Sequence, residues 1–231
     1  DTLSLHDSLP ISVDLPHGKN LVGTFHPPVA VIADPSVLGS LPERDYVGGL
    51  AEAVKHGLVA DATYFDWIVA NATALKAREL PAIEHLVRRS IEIKAGIVGA
   101  DERETGERMV LNAGHTVAHA LERVSGFSLP HGEAVALGLV AEAALAERLG
   151  IASGLAEPIA AALATLGLPL RAPAGLAAAD IAAAMDTDKK NRGTEVRFAL
   201  LGSIGRAHRA GQKWTVTATR PQIVEALSSI L

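Results

Sequence analysis

The chain has 231 residues, of which 48% are hydrophobic and only 3% aromatic, and this length suffices for one large hydrophobic core with or without a second, small one. Its formal net charge of -5 and pI near 6.0 argue against a general nucleic-acid-binding protein, and no uncharged apolar run is long enough to predict a membrane span. The absence of cysteine excludes disulfide bonds and thiolate metal sites and fits a reducing cytoplasm, where we expect the protein to be located.

The first part of the chain differs in pattern from the rest. Residues 1–11 are polar and have no periodicity, and they resemble translated read-through from a sequencing adapter. The following segment GKNLVGTFHPPVAVIAD predicts two short strands around a Pro-Pro break, of which residues 29–33 form the clearer one. We therefore expect a small β segment ahead of the main body of the chain.

From Pro42 onwards the sequence predicts long helices separated by breaks rich in Gly, Pro and Asp. The predicted helices cover residues 42–59, 61–76, 81–99, 107–125, 132–149, 155–166 and 177–187. Near the end, EVRFALLGSIGRA and KWTVTA predict two strands, and RPQIVEALSSIL predicts a closing helix with Pro221 in its first turn. The predicted fold class is mainly α, with a small β excursion near the C-terminus.

Four polar residues share one stripe of the predicted helix 107–125. Arg108, Asn112, His115 and His119 are spaced by four, three and four residues, which places them on one α-helical face. Because the other faces are apolar, the stripe is solvent-exposed, or it contains a core histidine bonded to a carbonyl, or it is a face that binds a metal or a substrate. Thr116 stands where a zinc peptidase of the HExxH type has its glutamate, which argues against a peptidase.

Other charged or polar side chains lie on apolar helices. Glu52 and Lys55 are three residues apart and form either an ordinary intrahelical ion pair or part of a site. Lys94 is a cation on an apolar helix, and His131 opens a helix as a candidate ligand, whereas Glu133 is expected only to favour the helix dipole. Histidines, a carboxylate and several cations, without cysteine, favour a catalytic zinc site and an anionic substrate.

Four segments in this order and spacing resemble the 3-dehydroquinate synthase family: GKNLVGTFHPP, LPERDYVGGLAEAVKHGL, KAGIVGADERETGERMVLNAGHTVAHALE and LPHGEAVALGLV. The resemblance implies an NAD-binding α/β domain followed by a helical domain. It implies a phosphate-eliminating lyase of the shikimate pathway, on the route to chorismate and the aromatic amino acids, which converts the phosphorylated keto acid DAHP to 3-dehydroquinate while NAD is used and regenerated. The alternative is another sugar-phosphate cyclase, since such enzymes are the nearest relatives of the family.

The resemblance also implies roles for individual residues. The zinc ligands, with cobalt as an alternative metal, would be Glu52, His115 and His131. The catalytic residues would be His119, Lys55 and Asn112. The residues that bind substrate would be Lys19, Asn20, Lys94, Arg108 and a lysine of the DKK segment, for which we favour Lys189 over Lys190.

The chain departs from the family pattern at its N-terminus. The glycine-rich NAD motif is missing, and Pro10 stands near the place of an expected lysine. We therefore expect residues 1–11 to be an artefact, residues 12–36 to be a remnant of the NAD-binding domain, and residues 37–231 to be the helical zinc- and substrate-binding domain. The full-length enzyme is expected to be a homodimer. The piece alone is expected to be inactive, and as an isolated module it would bind zinc without catalysis.

Overall fold

The computed structural model describes residues 11–15, 18–24, 30–101, 106–185 and 196–231. The chain divides into two compact units, Asp1–Ser36 and Val37–Leu231. The first unit contains an antiparallel hairpin of strands β1, Ile11–Leu15, and β2, Gly18–Thr24, in which Val13 pairs with Val22.

The strand predicted over residues 29–33 is wrong for residues 30–33, which have no regular secondary structure. Val31 and Ile32 are 62% and 94% exposed. Within the described residues no strand pairs with this segment, and a β-prone sequence needs such a partner to satisfy its backbone hydrogen bonds. Its apolar pattern alone was therefore not sufficient to form a strand.

The second unit is mainly helical, as predicted. Its α-helices are α1, Glu43–Ala60; α2, Ala62–Ala70; α3, Ala72–Lys76; α4, Leu80–Ala100; α5, His115–Val124; α6, His131–Arg148; α7, Ala156–Leu166; α8, Ala178–Met185; and α9, Arg220–Leu227. Two 3-10 helices cover Pro35–Ser40 and Glu107–Asn112. Of the described helices, none combines the length and the apolar character needed to cross a lipid bilayer.

Two predicted helices are interrupted. The one over residues 61–76 divides at Asn71, and the one over residues 107–125 is wrong in its first half. The chain leaves the 3-10 helix at Ala113, passes Gly114 with a φ of 80°, and only then begins α5. Arg108 and Asn112 therefore do not share an α-helical face with the histidines of α5.

The physical cause of this break lies on α6. The backbone N–H of Gly114 donates to Oε2 of the buried Glu142 at 2.7 Å. A Cβ on Gly138 would lie 2.0 Å from the carbonyl oxygen of Gly114, so the two backbones are in direct contact. The chain turns where these contacts hold it, and glycine adopts the left-handed conformation that the turn requires without steric cost.

Helix α6 lies at the centre of the second unit, where α1, α5, α7 and α9 pack against it. Its alanine-rich sequence lets the neighbouring helices approach closely. At the crossing with α1, a Cβ on Gly132 would lie 2.2 Å from the carbonyl oxygen of Gly48. The backbones of α1 and α6 therefore touch near the start of α6.

The β excursion consists of two small antiparallel sheets. Strand β3, Val196–Phe198, pairs with β6, Val216–Ala218, and β4, Leu201–Ser203, pairs with β5, Arg206–Ala207. The first of the two predicted strands is thus divided into three. Pro221 lies in the first turn of α9, as predicted, and a capping box formed by Thr219 and Gln222 begins that helix.

Candidate metal centre

Three side chains of the types that bind zinc converge between α1, α5 and α6. Glu52, His115 and His131 each offer one ligand atom, and these atoms lie within 4.8 Å of one another. Oε1 of Glu52 is 3.3 Å from Nε2 of His115 and 3.4 Å from Nε2 of His131. One carboxylate and two imidazoles form a donor set typical of catalytic zinc sites, in which a further position stays open for water or substrate.

The helix crossing explains why two of these groups meet. His131 is the first residue of α6 and precedes Gly132, whereas Glu52 lies about one turn after Gly48 on α1. Because the two glycines allow backbone contact, the side chains of Glu52 and His131 reach each other across the crossing. His115 is the first residue of α5 and approaches from the third helix.

Charge in the cluster favours the metal-binding forms of Glu52 and His115. Nζ of Lys55 is 2.6 Å from Oε2 of Glu52, and Lys55 is only 5% exposed. Burial raises the pKa of Glu52, but the charge of Lys55 and the proximity of the two imidazoles hold it well below its usual range. Burial, followed by the charge of Lys55, lowers the pKa of His115, which is therefore neutral at pH 7.

A second carboxylate, which sequence reasoning missed, contacts His131. Glu122 is buried on α5, and its Oε1 lies 3.3 Å from Nδ1 of His131. Burial lowers the pKa of His131, but the contact with Glu122 and the charges of Glu122 and Glu52 raise it to about 9. A carboxylate on the outer nitrogen of a ligand histidine fixes the tautomer and orientation of the ring. The available sequence signal was the seven-residue spacing from His115, which places Glu122 two turns further along the same helix face.

His119 lies next to the cluster on α5. Its ring centroid is 5.5 Å from that of His115 and 6.2 Å from that of His131, and the residue is exposed. The predicted residues that the structure brings together are therefore Glu52, Lys55, His115, His119 and His131. The cluster combines candidate ligands with an imidazole that solvent or substrate can reach.

The other predicted residues of the second unit lie on neighbouring elements. The 3-10 helix that carries the buried Arg108 and the half-buried Asn112 packs against α1 and α4. Lys94 is half-buried on α4. Burial, the charge of Lys55 and then that of Lys94 lower the pKa of the buried His56 to about 3, although Glu52 opposes them. The charges of Lys55 and Lys94 thus both act on His56, which follows Lys55 on α1.

Two groups of predicted substrate-binding residues remain predictions. Lys19 and Asn20 lie in strand β2 of the first unit. Lys189 and Lys190 lie outside the described residues.

Glu133 does more than favour the helix dipole. Its two carboxylate oxygens accept hydrogen bonds from Nε of Arg44 at 2.5 Å and from Nη2 of Arg44 at 2.9 Å. This bidentate pair joins the first turns of α1 and α6 beside the Gly48–Gly132 contact. The pair therefore supports the helix crossing that brings Glu52 and His131 together.

Solved structures of two synthases share the fold. A 2-deoxy-scyllo-inosose synthase, complexed with carbaglucose-6-phosphate, NAD+ and Co2+, superposes with a TM-score of 0.86 at 24% identity, covering 97% of this chain and 63% of that one. The 2-epi-5-epi-valiolone synthase from Streptomyces hygroscopicus, with NAD+ and Zn2+ bound, gives a TM-score of 0.81 at 25% identity, covering 96% and 61%.

Sequence relatives are more similar. The chain is 46% identical over 218 residues to the 3-dehydroquinate synthase of Halorhodospira halophila, and 44% identical over 203 residues to that of Xylella fastidiosa. These alignments cover 93% and 85% of the chain, which spans 61% and 55% of the respective relatives. Residues 49–191 match the family described as 3-dehydroquinate synthase C-terminal, and residues 10–48 match 3-dehydroquinate synthase N-terminal. This chain belongs to the 3-dehydroquinate synthase family.

Proposed function

We propose that the chain is the zinc- and substrate-binding part of a 3-dehydroquinate synthase, a lyase that converts DAHP to 3-dehydroquinate and phosphate. The observation that carries the proposal is the convergence of Glu52, His115 and His131 in a chain 46% identical to a protein of that name. In this proposal, residues 37–231 form the helical domain, and residues 12–36 belong to the NAD-binding domain.

A second candidate is another sugar-phosphate cyclase, because two such enzymes share the fold. Identity to these enzymes is 24% and 25%, compared with 46% and 44% to the two 3-dehydroquinate synthases. The sequence relationship therefore favours DAHP as the substrate. In the second candidate the substrate would be another sugar phosphate, such as sedoheptulose 7-phosphate.

The residues present fit a divalent metal and favour zinc. Glu52 is held in its ionised form and His115 in its neutral form, and both are forms that ligate. Zinc held by these residues would polarise substrate hydroxyl groups and lower their pKa, and NAD would accept a hydride and return it. Cobalt is the alternative metal, since the same ligand set accepts both.

We assign substrate contacts to side chains around the cluster. His119 is exposed beside the ligand histidines and would orient the substrate and transfer protons. Lys55 is buried against Glu52, where its ammonium keeps that carboxylate ionised and presents a cation to the substrate. Asn112 would hold a substrate hydroxyl through its amide.

Cationic and polar groups would bind the carboxylate and the phosphate of DAHP. Guanidinium and ammonium groups suit such anions because they donate several charge-assisted hydrogen bonds. The proposed residues are Lys19, Asn20, Lys94, Arg108 and Lys189. A homodimer and a cytoplasmic location are further parts of the proposal and rest on the family resemblance.

Zinc binding tests the proposed metal site. We expect one zinc per chain by metal analysis and calorimetry, and loss or strong weakening of binding in Glu52→Ala, His115→Ala and His131→Ala. His119→Ala is the matched control, since it removes a neighbouring imidazole that we do not assign as a ligand. Zinc bound equally well by all four variants, or no zinc in the folded wild-type chain, would contradict the ligand assignment.

Phosphate release tests the reaction. Because the chain spans 61% of the H. halophila enzyme, turnover is best measured on the chain joined to the N-terminal domain of that relative, with NAD and zinc present. We expect phosphate release from DAHP, and its loss in His119→Ala. Release from sedoheptulose 7-phosphate in preference to DAHP would favour the second candidate.

A further inference from the structure

Glu142 is a buried carboxylate in the middle of the apolar helix α6, about three turns from His131. It is 4% exposed. Its two oxygens point at the start of α5, where Oε2 accepts the N–H of Gly114 at 2.7 Å and Oε1 accepts the N–H of Val117 at 3.2 Å. The first N–H groups of a helix have no partner within that helix, so an external acceptor stabilises this end.

Besides this hydrogen bond, Gly114 also packs closely against α6. Gly138 lies one turn before Glu142, and its lack of a side chain lets the carbonyl oxygen of Gly114 approach the α6 backbone. A Cβ on Gly114 would lie 2.9 Å from Cγ of Leu139. The residue before α5 is therefore fixed by one hydrogen bond and by close packing.

His115 lies between the two backbone groups that Glu142 holds. It follows Gly114, it is 4% exposed, and its Nδ1 is 3.2 Å from the carbonyl oxygen of Ala113. The other ring nitrogen, Nε2, is the one that lies 3.3 Å from Oε1 of Glu52. The direction of the His115 ring thus depends on where the first turn of α5 is placed.

We propose that Glu142 is a positioning residue of the metal site, which holds the first turn of α5 so that His115 points at Glu52 and His131. The inference rests on the proposed metal function. Helix α6 would then contribute to the metal site in two ways. Its first residue, His131, is a proposed ligand, and Glu142 in its middle holds α5, which carries the proposed ligand His115.

The same helix offers a matched control. Glu147 lies on α6 and its Oε1 accepts the N–H groups of Leu155 and Ala156, the latter at 3.0 Å, at the start of α7. This is the same kind of cap on a neighbouring helix, but α7 carries none of the three proposed ligands. Loss of the Glu147 cap therefore reports the general effect of removing a carboxylate from α6.

The test compares zinc affinity and metal-free Tm in Glu142→Leu, Glu142→Gln and Glu147→Leu. Burial raises the pKa of Glu142 to about 8, so an amide imitates the protonated acid, and leucine, which removes both acceptors, is the decisive change. We expect zinc binding to weaken about tenfold or more in Glu142→Leu, as when a group that orients a ligand is lost. Glutamine, which keeps one acceptor, should give a smaller loss.

Glu147→Leu is expected to lower the Tm but to leave zinc affinity within about twofold of wild type, a difference of about 0.4 kcal/mol. If Glu142→Leu and Glu147→Leu lower the Tm alike and neither changes zinc affinity, Glu142 is only a structural cap and the inference is overturned. If the wild-type chain binds no zinc, the proposed metal site fails and the inference fails with it. Should Glu142→Leu not fold, Glu142→Ala, which also removes both acceptors, decides by the same comparison.

Discussion

At the scale of single residues, we expect His131 to couple zinc binding to pH. Its pKa of about 9 means that it carries a proton at pH 7 in the metal-free chain, whereas a ligand histidine must be neutral. Zinc must therefore displace that proton, and we expect affinity to rise as pH increases from 6 to 9, by up to about tenfold per unit. His115 is already neutral and should add no proton release.

Calorimetry in buffers with different ionisation enthalpies measures this release, for which we expect about one proton per zinc at pH 7. Glu122→Gln is the informative variant, because it removes a charge that raises the pKa of His131. It should move the pH dependence to lower pH. The same raised pKa stabilises the metal-free fold below about pH 6.5, and this contribution is lost as pH rises through about 9. An affinity independent of pH in wild type would contradict the assignment of His131.

Individual site residues differ in how far the sequence reveals them. The four-residue spacing of His115 and His119 indicates a shared helix face, and the structure has that face. Glu142 gave no comparable signal, and the seven-residue spacing of Glu122 from His115 was not sufficient, because a carboxylate in an alanine-rich helix usually faces water. Their partners, His131 and the N–H groups at the start of α5, are nine and twenty-five or more residues away, and only the fold brings them together.

At the scale of elements, the Gly48–Gly132 crossing sets the distance between two proposed ligands. In Gly132→Ala the new Cβ would meet the α1 backbone at 2.2 Å, so the helices must move apart. We expect the free energy of unfolding to fall by about 1–3 kcal/mol from overpacking. Zinc binding should weaken as well, because Glu52 and His131 lie on either side of the crossing.

Gly49→Ala is the matched control for this prediction, since Gly49 is the next residue of α1 and a Cβ there meets nothing within 4 Å. It should leave zinc affinity unchanged and stabilise the chain by up to about 1 kcal/mol, because alanine favours helix over glycine. Denaturant unfolding and calorimetry measure both quantities. If Gly132→Ala changes neither the free energy of unfolding nor zinc affinity, the helix crossing accommodates a Cβ and the prediction is wrong.

The helices themselves could largely be predicted from sequence, and the break before α5 has a cause outside its own segment. Apolar spacing and Gly or Pro breaks located the helices that became α1, α4, α6 and α7 to within one or two residues at each end. The break at Gly114 could not be predicted, because an isolated glycine is tolerated in a helix unless something outside it imposes a turn. Here Gly138 and Glu142, at least 24 residues further along the chain, impose that turn.

At the scale of the whole molecule, the proposed metal site lies where three helices of one core meet. Glu52 belongs to α1, His115 to α5 and His131 to α6, and α6 packs against both of the others. The three ligands are separated by up to 79 positions in sequence, so they can surround one ion only when the core of the second unit is formed. Zinc binding should therefore be coupled to folding of the whole second unit, not only to local ordering of a single segment.

This coupling gives a prediction for thermal unfolding. A ligand that binds only the native state stabilises it by about 2.7 kcal/mol at a free concentration 100 times its Kd. For a domain of this size that corresponds to an increase in Tm of roughly 5–10 °C, measured by scanning calorimetry with zinc and then with a chelator. Glu52→Ala should unfold at the same temperature with and without zinc, whereas His119→Ala should keep the wild-type increase. If zinc raises the Tm of Glu52→Ala as much as that of wild type, the stabilising ion is bound at another site. If saturating zinc does not raise the Tm of the wild-type chain, zinc binding is not coupled to the folding of the core.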